Sequence, residues 1–121
     1  MISGINLLET VNVVSKYDSG EPKTIWKIGM IDAETMPVVV ACQETLSTMT
    51  ELVRFGLRGF DNFRDASGKE VQFTTEQVTL RGRTFNILAS SVLRIIPRVV
   101  IIELGMKILE LGKLTEAEIK N

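Results

Sequence analysis

The hydrophobic period of this chain changes near residue 32, and that change restricts the fold more than any other feature. Before it, apolar and polar residues alternate in 5–17 and again in 23–31, with the period of two that is typical of half-buried strands. After it, apolar residues recur at intervals of three and four from Leu46 to Phe60, as on one face of an amphipathic helix. Strand and helix patterns occupy separate parts of the chain, which predicts an α+β fold.

The two strand candidates at the front form a predicted antiparallel hairpin. Residues 18–22, DSGEP, have the composition of a turn, and the second strand places Trp26, Ile28 and Met30 on one side. The corresponding side of the first strand is expected to comprise Ile5, Leu7, Val11, Val13 and Tyr17.

A helix is predicted between this hairpin and Gly59. Asp32 or Thr35 can cap its start, and Pro37 is tolerated only in a first turn. Gly59 is the expected C-terminal cap, so that Leu57 would still be helical.

Turns and strands follow in the third quarter. Residues 65–70, DASGKE, predict a second turn, and 76–87 alternate like a strand. Gly82 interrupts this strand where the apolar parity changes, which indicates a bulge or a tight bend.

The C-terminal part predicts one helix and then a short capped helix. Pro97 suits a first helical turn, and Gly112 is expected to end the helix. Thr115 and Glu118 have the spacing of a capping box that would begin the last short helix.

The helix after Pro97 is apolar on most of its sides. Val99, Val100 and Ile102 make it apolar nearly all round, so the helix is either deep in its own domain or shared with another subunit. The main stripe, which is expected to face the core, comprises Ile101, Leu104, Ile108 and Leu111.

Composition limits the chemistry open to this chain. Its 121 residues predict a single domain spanning 1–121, and its net charge of −1 gives no general attraction to nucleic acid or anionic lipid. It has no histidine and one cysteine, Cys42, so a Ser-His-Asp triad and a Cys/His zinc site are both impossible within one chain. We expect no enzymatic activity, no cofactor and no membrane span, and we expect Cys42 to be a small buried hydrophobe.

Acid–base catalysis by carboxylates remains possible for a chain without histidine. The pairs Asp61/Asp65 and Asp32/Glu34 have residue types suited to acid–base catalysis, but such pairs are common on solvated helices and turns.

Residues 54–73, RFGLRGFDNFRDASGKEVQF, combine three arginines with four phenylalanines. Such a mixture can bind nucleic acid, but Asp61 and Asn62 stand where an RNA-recognition strand has a small residue and a ring. We therefore expect Phe60, Phe63 and Phe73 to be mostly buried. The alternative is a small nucleic-acid-binding module that uses Arg54, Arg58, Arg64, Arg81 and Arg83.

The same region resembles a signature of small proteins encoded among the structural genes of tailed bacteriophages. In that family an aromatic-Gly-apolar-basic-Gly-aromatic run precedes Asn-Phe, an Asp-x-x-Gly turn and a short strand that ends in Phe. The last residues of this chain, LGKLTEAEIKN, are similar to the acidic C-terminal sequence of the family. The matching residues are Phe55, Gly56, Gly59, Phe60, Asn62, Phe63, Asp65, Gly68, Phe73, Thr115, Glu118, Lys120 and Asn121. Phe60 stands where the family commonly has tryptophan.

The resemblance implies a non-enzymatic structural or assembly protein of a tailed phage, in the head–tail neck or the tail, located in the virion or in the host cytoplasm during assembly. Its partners would be other phage structural proteins and further copies of itself. The residues expected to bind partners are Arg54, Arg58, Arg64, Val99, Ile102 and Met106.

Overall fold

The computed structural model describes residues 4–40 and 45–120, and it describes only the backbone of Thr45 and of residues 113–120. Cys42, for which burial is predicted, lies outside the described residues. The elements in chain order are β1 (Thr10–Val13), β2 (Ile25–Gly29), α1 (Met36–Val39), α2 (Thr45–Gly56), β3 (Leu57–Asp61), β4 (Thr75–Leu80), β5 (Arg83–Leu88), α3 (Ser90–Leu93) and α4 (Arg98–Lys120). The fold is α+β, as the sequence predicts.

The strands form two antiparallel sheets. β2 is the central strand of the first sheet, between β1 and β3, and β4 pairs with β5 in the second. The N-terminal hairpin is confirmed, but β1 is shorter than predicted, and residues 4–9 lie outside it. Tyr17 is also outside β1. The predicted inner side of the first strand is half-buried only at Val13 and is wrong at its other four residues, which are exposed: Ile5, Leu7, Val11 and Tyr17.

α2 ends at Gly56, and the predicted continuation to Gly59 is wrong. Leu57 pairs with Ile28 and Gly59 pairs with Lys27, so Arg58 is an extra residue at a bulge in β3. This extra residue separates Leu57 and Phe60 by three positions although both face partners on the same side of β2. The bulge therefore imitates helical spacing within a strand.

α1 begins where the sequence predicts, with Pro37 in its first turn. Thr35 occupies the capping position but makes no side-chain cap hydrogen bond; instead Asp32 Oδ1 accepts a hydrogen bond of 2.6 Å from the Thr35 amide. Asp32 therefore stabilises the turn that leads into α1.

The interruption at Gly82 is a hairpin turn. Arg81 and Gly82 both have positive φ, 51° and 75°, which is the conformation of a two-residue type I′ turn. Each of β4 and β5 has six residues, and Val78 pairs with Phe85 across the hairpin. The predicted tight bend is confirmed.

α4 runs through Gly112 to Lys120, so the predicted break and the separate last helix are wrong. A single glycine costs a helix about 1 kcal/mol relative to alanine, and the neighbouring leucine, lysine, glutamate and alanine residues favour helix strongly enough to continue it. Sequence patterning also missed α3, a single turn that buries Val92.

The core lies where α2 and α4 pack on each other and on β2 and β3. Its fully buried side chains are Ile28, Val39, Leu52, Val53, Leu88, Leu104 and Ile108. Trp26, at 3% exposure, joins this core to an aromatic cluster: its ring centroid is 5.0 Å from that of Phe63 and 5.7 Å from that of Phe60. Phe63 is buried, whereas Phe60 and Phe73 are half-buried against the core, with their ring centroids 5.4 Å apart.

Candidate functional site

α4 carries apolar side chains on two opposite faces. At 100° per residue, Leu104 and Ile108 point towards the core, where they are 0% and 1% exposed. Val99, Ile102 and Met106 fall on the opposite side and are 48%, 39% and 47% exposed. The structure therefore brings together the three apolar residues that were expected to bind partners, and it leaves them facing solvent. Val100, which the sequence also placed outside the core stripe, is 8% exposed and belongs to the core, so the prediction is wrong at that residue.

Tyr17 extends this exposed face beyond the helix. The Lys16 amide donates a hydrogen bond of 3.1 Å to Glu103 Oε2, which attaches the chain at residues 16–17 to the side of α4. Tyr17, Val99, Ile102 and Met106 then line one shallow depression of about 290 Å³. We call these four residues the α4 outer surface.

The pattern in the sequence did not identify Tyr17. Period-two alternation assigned it to the inner side of a strand, but β1 ends at Val13. Turn residues begin directly after Tyr17 at Asp18, and that proximity is the only signal in the sequence that argues against strand at this position.

A larger groove adjoins the α4 outer surface. It has a volume of about 550 Å³ and runs between the 15–24 loop and the start of α4, where Tyr17, Pro22, Phe63, Pro97 and Val99 are among its lining residues. Its other lining residues include Asp18, Glu21 and Arg64, so the groove combines apolar side chains with charges of both signs.

Asp18 holds the loop that forms one wall of this groove. Its carboxylate accepts hydrogen bonds from the amide of Thr24, at 2.8 Å, and from the amide of Gly20, at 3.0 Å. These bonds, with the Thr24 bond contributing most, lower the pKa of Asp18 below its usual value. The wall is therefore fixed by hydrogen bonds within the loop.

Charged residues of both signs border the α4 outer surface. Arg98 and Glu110 are exposed, and Glu103 and Lys107 are half-buried. Glu103 Oε1 is closed off from solvent and has no hydrogen-bond partner among the described residues, although Oε2 accepts from the Lys16 amide. A buried carboxylate oxygen without a donor is energetically unfavourable, which makes Glu103 the least satisfied charge in this region.

The structure does not bring Arg54, Arg58 and Arg64 together. Arg54 lies on α2, with its Nε 3.3 Å from a carboxylate oxygen of Glu51. Arg64 lies beyond β3 and donates a hydrogen bond of 3.1 Å to the carbonyl oxygen of Gly68. The Arg54 Nε is buried and makes an ion pair but no hydrogen bond among the described residues, whereas the Arg64 guanidinium is hydrogen-bonded within its own turn. The two groups therefore lie on different elements with separate local partners.

Arg58 has a structural position at the β3 bulge. It donates hydrogen bonds to the carbonyl oxygens of Met30, at 3.0 Å, and Leu7, at 3.4 Å, so it connects the N-terminal segment to the end of β2. Partial burial lowers the pKa of Arg58, and Asp32 opposes this shift. Arginine remains charged throughout the accessible pH range, so Arg58 is a permanently charged hydrogen-bond donor that links these two segments.

A separate cleft, of about 340 Å³, contains charges of both signs. Arg58, Arg83, Asp32 and Thr35 are among its lining residues. Arg83 lies 4.9 Å from the ring centre of Phe85 and 3.5 Å from a carboxylate oxygen of Glu34. The cationic groups of this cleft are thus compensated by neighbouring acids rather than presented as a uniformly basic surface.

The carboxylate pairs that the sequence offered for catalysis have separate structural contacts. Asp61 lies 3.4 Å from Lys27 on β2, and Asp65 Oδ1 accepts hydrogen bonds within its own turn from the Ser67 hydroxyl, at 2.6 Å, and the Lys69 amide, at 3.0 Å. Within residues 4–40 and 45–120, no group of three or more potential His, Cys, Asp or Glu ligands is placed to hold a metal ion.

Searches against protein-family models, curated proteins and solved structures returned no match to this chain. Among the described helices, none is both long enough and apolar enough to cross a membrane.

Proposed function

We propose that this chain is a non-enzymatic structural or assembly protein of a tailed bacteriophage, in the neck or tail, and that it acts through protein–protein contacts at the α4 outer surface. The observation that carries the proposal is the exposure of Val99, Ile102 and Met106 on the side of α4 opposite its core stripe. Contiguous exposed apolar residues bordered by charges are typical of protein-binding surfaces.

The residues that carry the resemblance support an architectural role for the signature. Phe60 and Phe63 contact each other at 5.3 Å between ring centroids and pack against Trp26. Asn62 has a positive φ of 62° at the end of β3, and its side chain donates to the carbonyl oxygen of Lys23. These residues position the sheet and the 15–24 loop, and the loop in turn carries Tyr17 to the outer surface.

The proposal is tested in the phage or prophage that encodes the chain. Deleting the gene should lower the yield of infectious particles by orders of magnitude, and expression of the wild-type chain in trans should restore it. The Ile102→Asp variant should fail to restore the yield because it places a charge at the centre of an apolar contact.

Leu46→Asp is the matched control for this experiment. Leu46 is 42% exposed, close to the 39% of Ile102, but it lies on α2. An aspartate in the first turn of a helix is favourable, so this variant should fold and restore particle yield. A normal yield after deletion of the gene would contradict the proposed function.

A further inference from the structure

We infer that the α4 outer surface is occupied by a second copy of this chain, with the two α4 helices side by side and running in the same direction. This inference rests on the proposed function, since it names the partner of the same surface.

The spacing of the exposed residues suits a pair of helices. Val99, Ile102 and Met106 are separated by three and then four positions, as are the inward positions of a coiled coil. Leu109 continues the spacing three residues later, but it is half-buried against the chain's own core, so the exposed seam comprises Val99, Ile102 and Met106. In a straight pair of α4 helices these three residues meet in successive layers, and Tyr17 of each copy lies beside one flank of the seam.

The charges beside these layers are complementary to their own copy. We assign Val99 and Met106 to the first positions of two successive heptads. Arg98 and Glu103 then occupy the two positions that flank the seam. In a parallel pair, Arg98 of one helix faces Glu103 of the other, five residues further along. Two-fold symmetry produces this contact twice, with Arg98 of each copy beside Glu103 of the other. Glu103 is half-buried beside Lys16, and Arg98 is exposed, so the contact needs the arginine to reach across the seam rather than any movement of Glu103.

An antiparallel pair of α4 helices is electrostatically less favourable than a parallel pair. Glu103 and Glu110 occupy equivalent flanking positions of successive heptads, and in an antiparallel pair equivalent positions face each other. Carboxylates would then approach carboxylates on one flank of the seam. The sequence of α4 therefore favours the parallel arrangement.

Sedimentation equilibrium of the full chain over a wide concentration range tests the self-association. The wild-type chain and the Leu46→Asp control should form dimers, and Ile102→Asp should weaken dimer formation by about tenfold or more. Far-UV circular dichroism confirms that each variant is folded. A wild-type chain that stays monomeric at the highest concentration would overturn the inference.

A charge reversal tests the assigned pairing without touching an apolar residue. Arg98→Glu should weaken the dimer because it places a second carboxylate beside Glu103 of the other copy, whereas Arg98→Lys, which keeps the positive charge, should leave the affinity close to that of the wild type. Arg98 is exposed at the start of α4, so its replacement does not threaten the core. If Arg98→Glu leaves the affinity unchanged, the parallel pairing is wrong.

Oxidative cross-linking tests the direction of the helices. In a parallel pair Ile102 meets its own equivalent, so Ile102→Cys should form a disulfide-linked dimer under mild oxidation, whereas an antiparallel pair would bring it to Met106. The wild-type chain, treated identically, controls for cross-links through Cys42. Failure of Ile102→Cys to cross-link in a sample that sedimentation shows to be dimeric would overturn the parallel orientation.

These results separate the inference from the proposed function. If the purified chain is monomeric but Ile102→Asp still abolishes particle formation, the surface binds another phage component and only the second copy is wrong. If the chain dimerises as inferred but deletion of its gene leaves particle yield unchanged, the phage function is wrong and the dimer stands.

Discussion

Asp65 closes the 65–70 turn with its own carboxylate. The Ser67 hydroxyl contributes most to lowering the pKa of Asp65 below its usual value, and the Lys69 amide adds to the shift. Asp18 performs the same role in the 15–24 loop. In Asp32, burial acts to raise the pKa, but hydrogen bonds from Thr35, the charge of Arg83 and a hydrogen bond from the Glu34 amide together outweigh it, and the net shift is downward.

These lowered pKa values predict acid-sensitive stability. The unfolded chain takes up protons at a higher pH than the folded chain does, so the stabilisation is complete above the ordinary aspartate pKa of about 4 and is lost as the pH falls through the lower folded values. Replacing Asp65 with Asn should flatten this dependence, measured by urea unfolding at a series of pH values. The same slope in Asp65→Asn and the wild-type chain would show that Asp65 contributes nothing to it.

Phe63 is the most buried of the three phenylalanines that the sequence placed in the core. It is 7% exposed and contacts both Trp26 and Phe60. We predict that Phe63→Ala lowers the free energy of unfolding by about 3–5 kcal/mol, measured by denaturant unfolding, because truncating a core ring leaves a cavity. Phe63→Leu should cost less. A Phe63→Ala variant that unfolds like the wild type but loses partner binding would identify the ring as a contact residue.

At the scale of the elements, the α2–α4 contact depends on a glycine in the middle of α4. A β-carbon added to Gly105 would lie 2.9 Å from the Met49 sulfur and 3.0 Å from the Met49 Cα. The second distance involves backbone, which a side-chain rotation cannot relieve. Gly105 therefore allows the two helices to approach closely, at the expense of intrinsic helix propensity.

Two glycine substitutions on α4 should have opposite effects. Gly105→Ala gains about 1 kcal/mol of helix propensity, but the crowding of α2 costs about 1–3 kcal/mol, so we expect a net loss of stability. In Gly112→Ala the added β-carbon meets no atom within 4 Å in the described part of the chain, so this variant should be more stable by about 0.5–1 kcal/mol. Thermal melting of both variants beside the wild type measures the difference, and stabilisation by Gly105→Ala would show that the helices are not tightly packed there.

At the scale of the whole molecule, the contacts between elements predict one cooperative unit over residues 1–121. α2 packs against α4 and also contacts β5, where the rings of Phe55 and Phe85 are 5.3 Å apart between centroids. The β4–β5 hairpin is thereby joined to the helical core, since an isolated two-stranded hairpin has little stability of its own.

We predict that fluorescence of Trp26, the only tryptophan, and far-UV circular dichroism report the same unfolding midpoint at a fixed protein concentration. Trp26 reports on the first sheet and the aromatic cluster, whereas circular dichroism is dominated by the helices. Two separated midpoints would show that the sheet and the helices unfold independently, and the single-domain prediction would fail.

Local patterns in the sequence were sufficient for much of the architecture. The N-terminal hairpin, the Pro37 and Pro97 helix starts, the 65–70 turn and the bend at Gly82 all follow from residue types that permit few backbone conformations. The angular positions of Val99 and Ile102 on α4 were also predictable, because the position of a residue around a helix depends only on its number. Their exposure was not, and Val100, which the sequence grouped with them, is buried.

The tertiary structure decided the features that depend on distant partners. Leu57 and Phe60 have helical spacing in the chain, but pairing with β2 and the bulge at Arg58 make them part of a strand. Gly112 carries a local signal for a helix end, yet the helix-forming residues around it continue α4. Tyr17 reaches the outer surface because the Lys16 amide bonds to Glu103, 87 residues away in sequence. No window of the sequence contains both partners of such contacts, so short-range periodicity could predict which residues share a side of α4 but not what the fold places beside them.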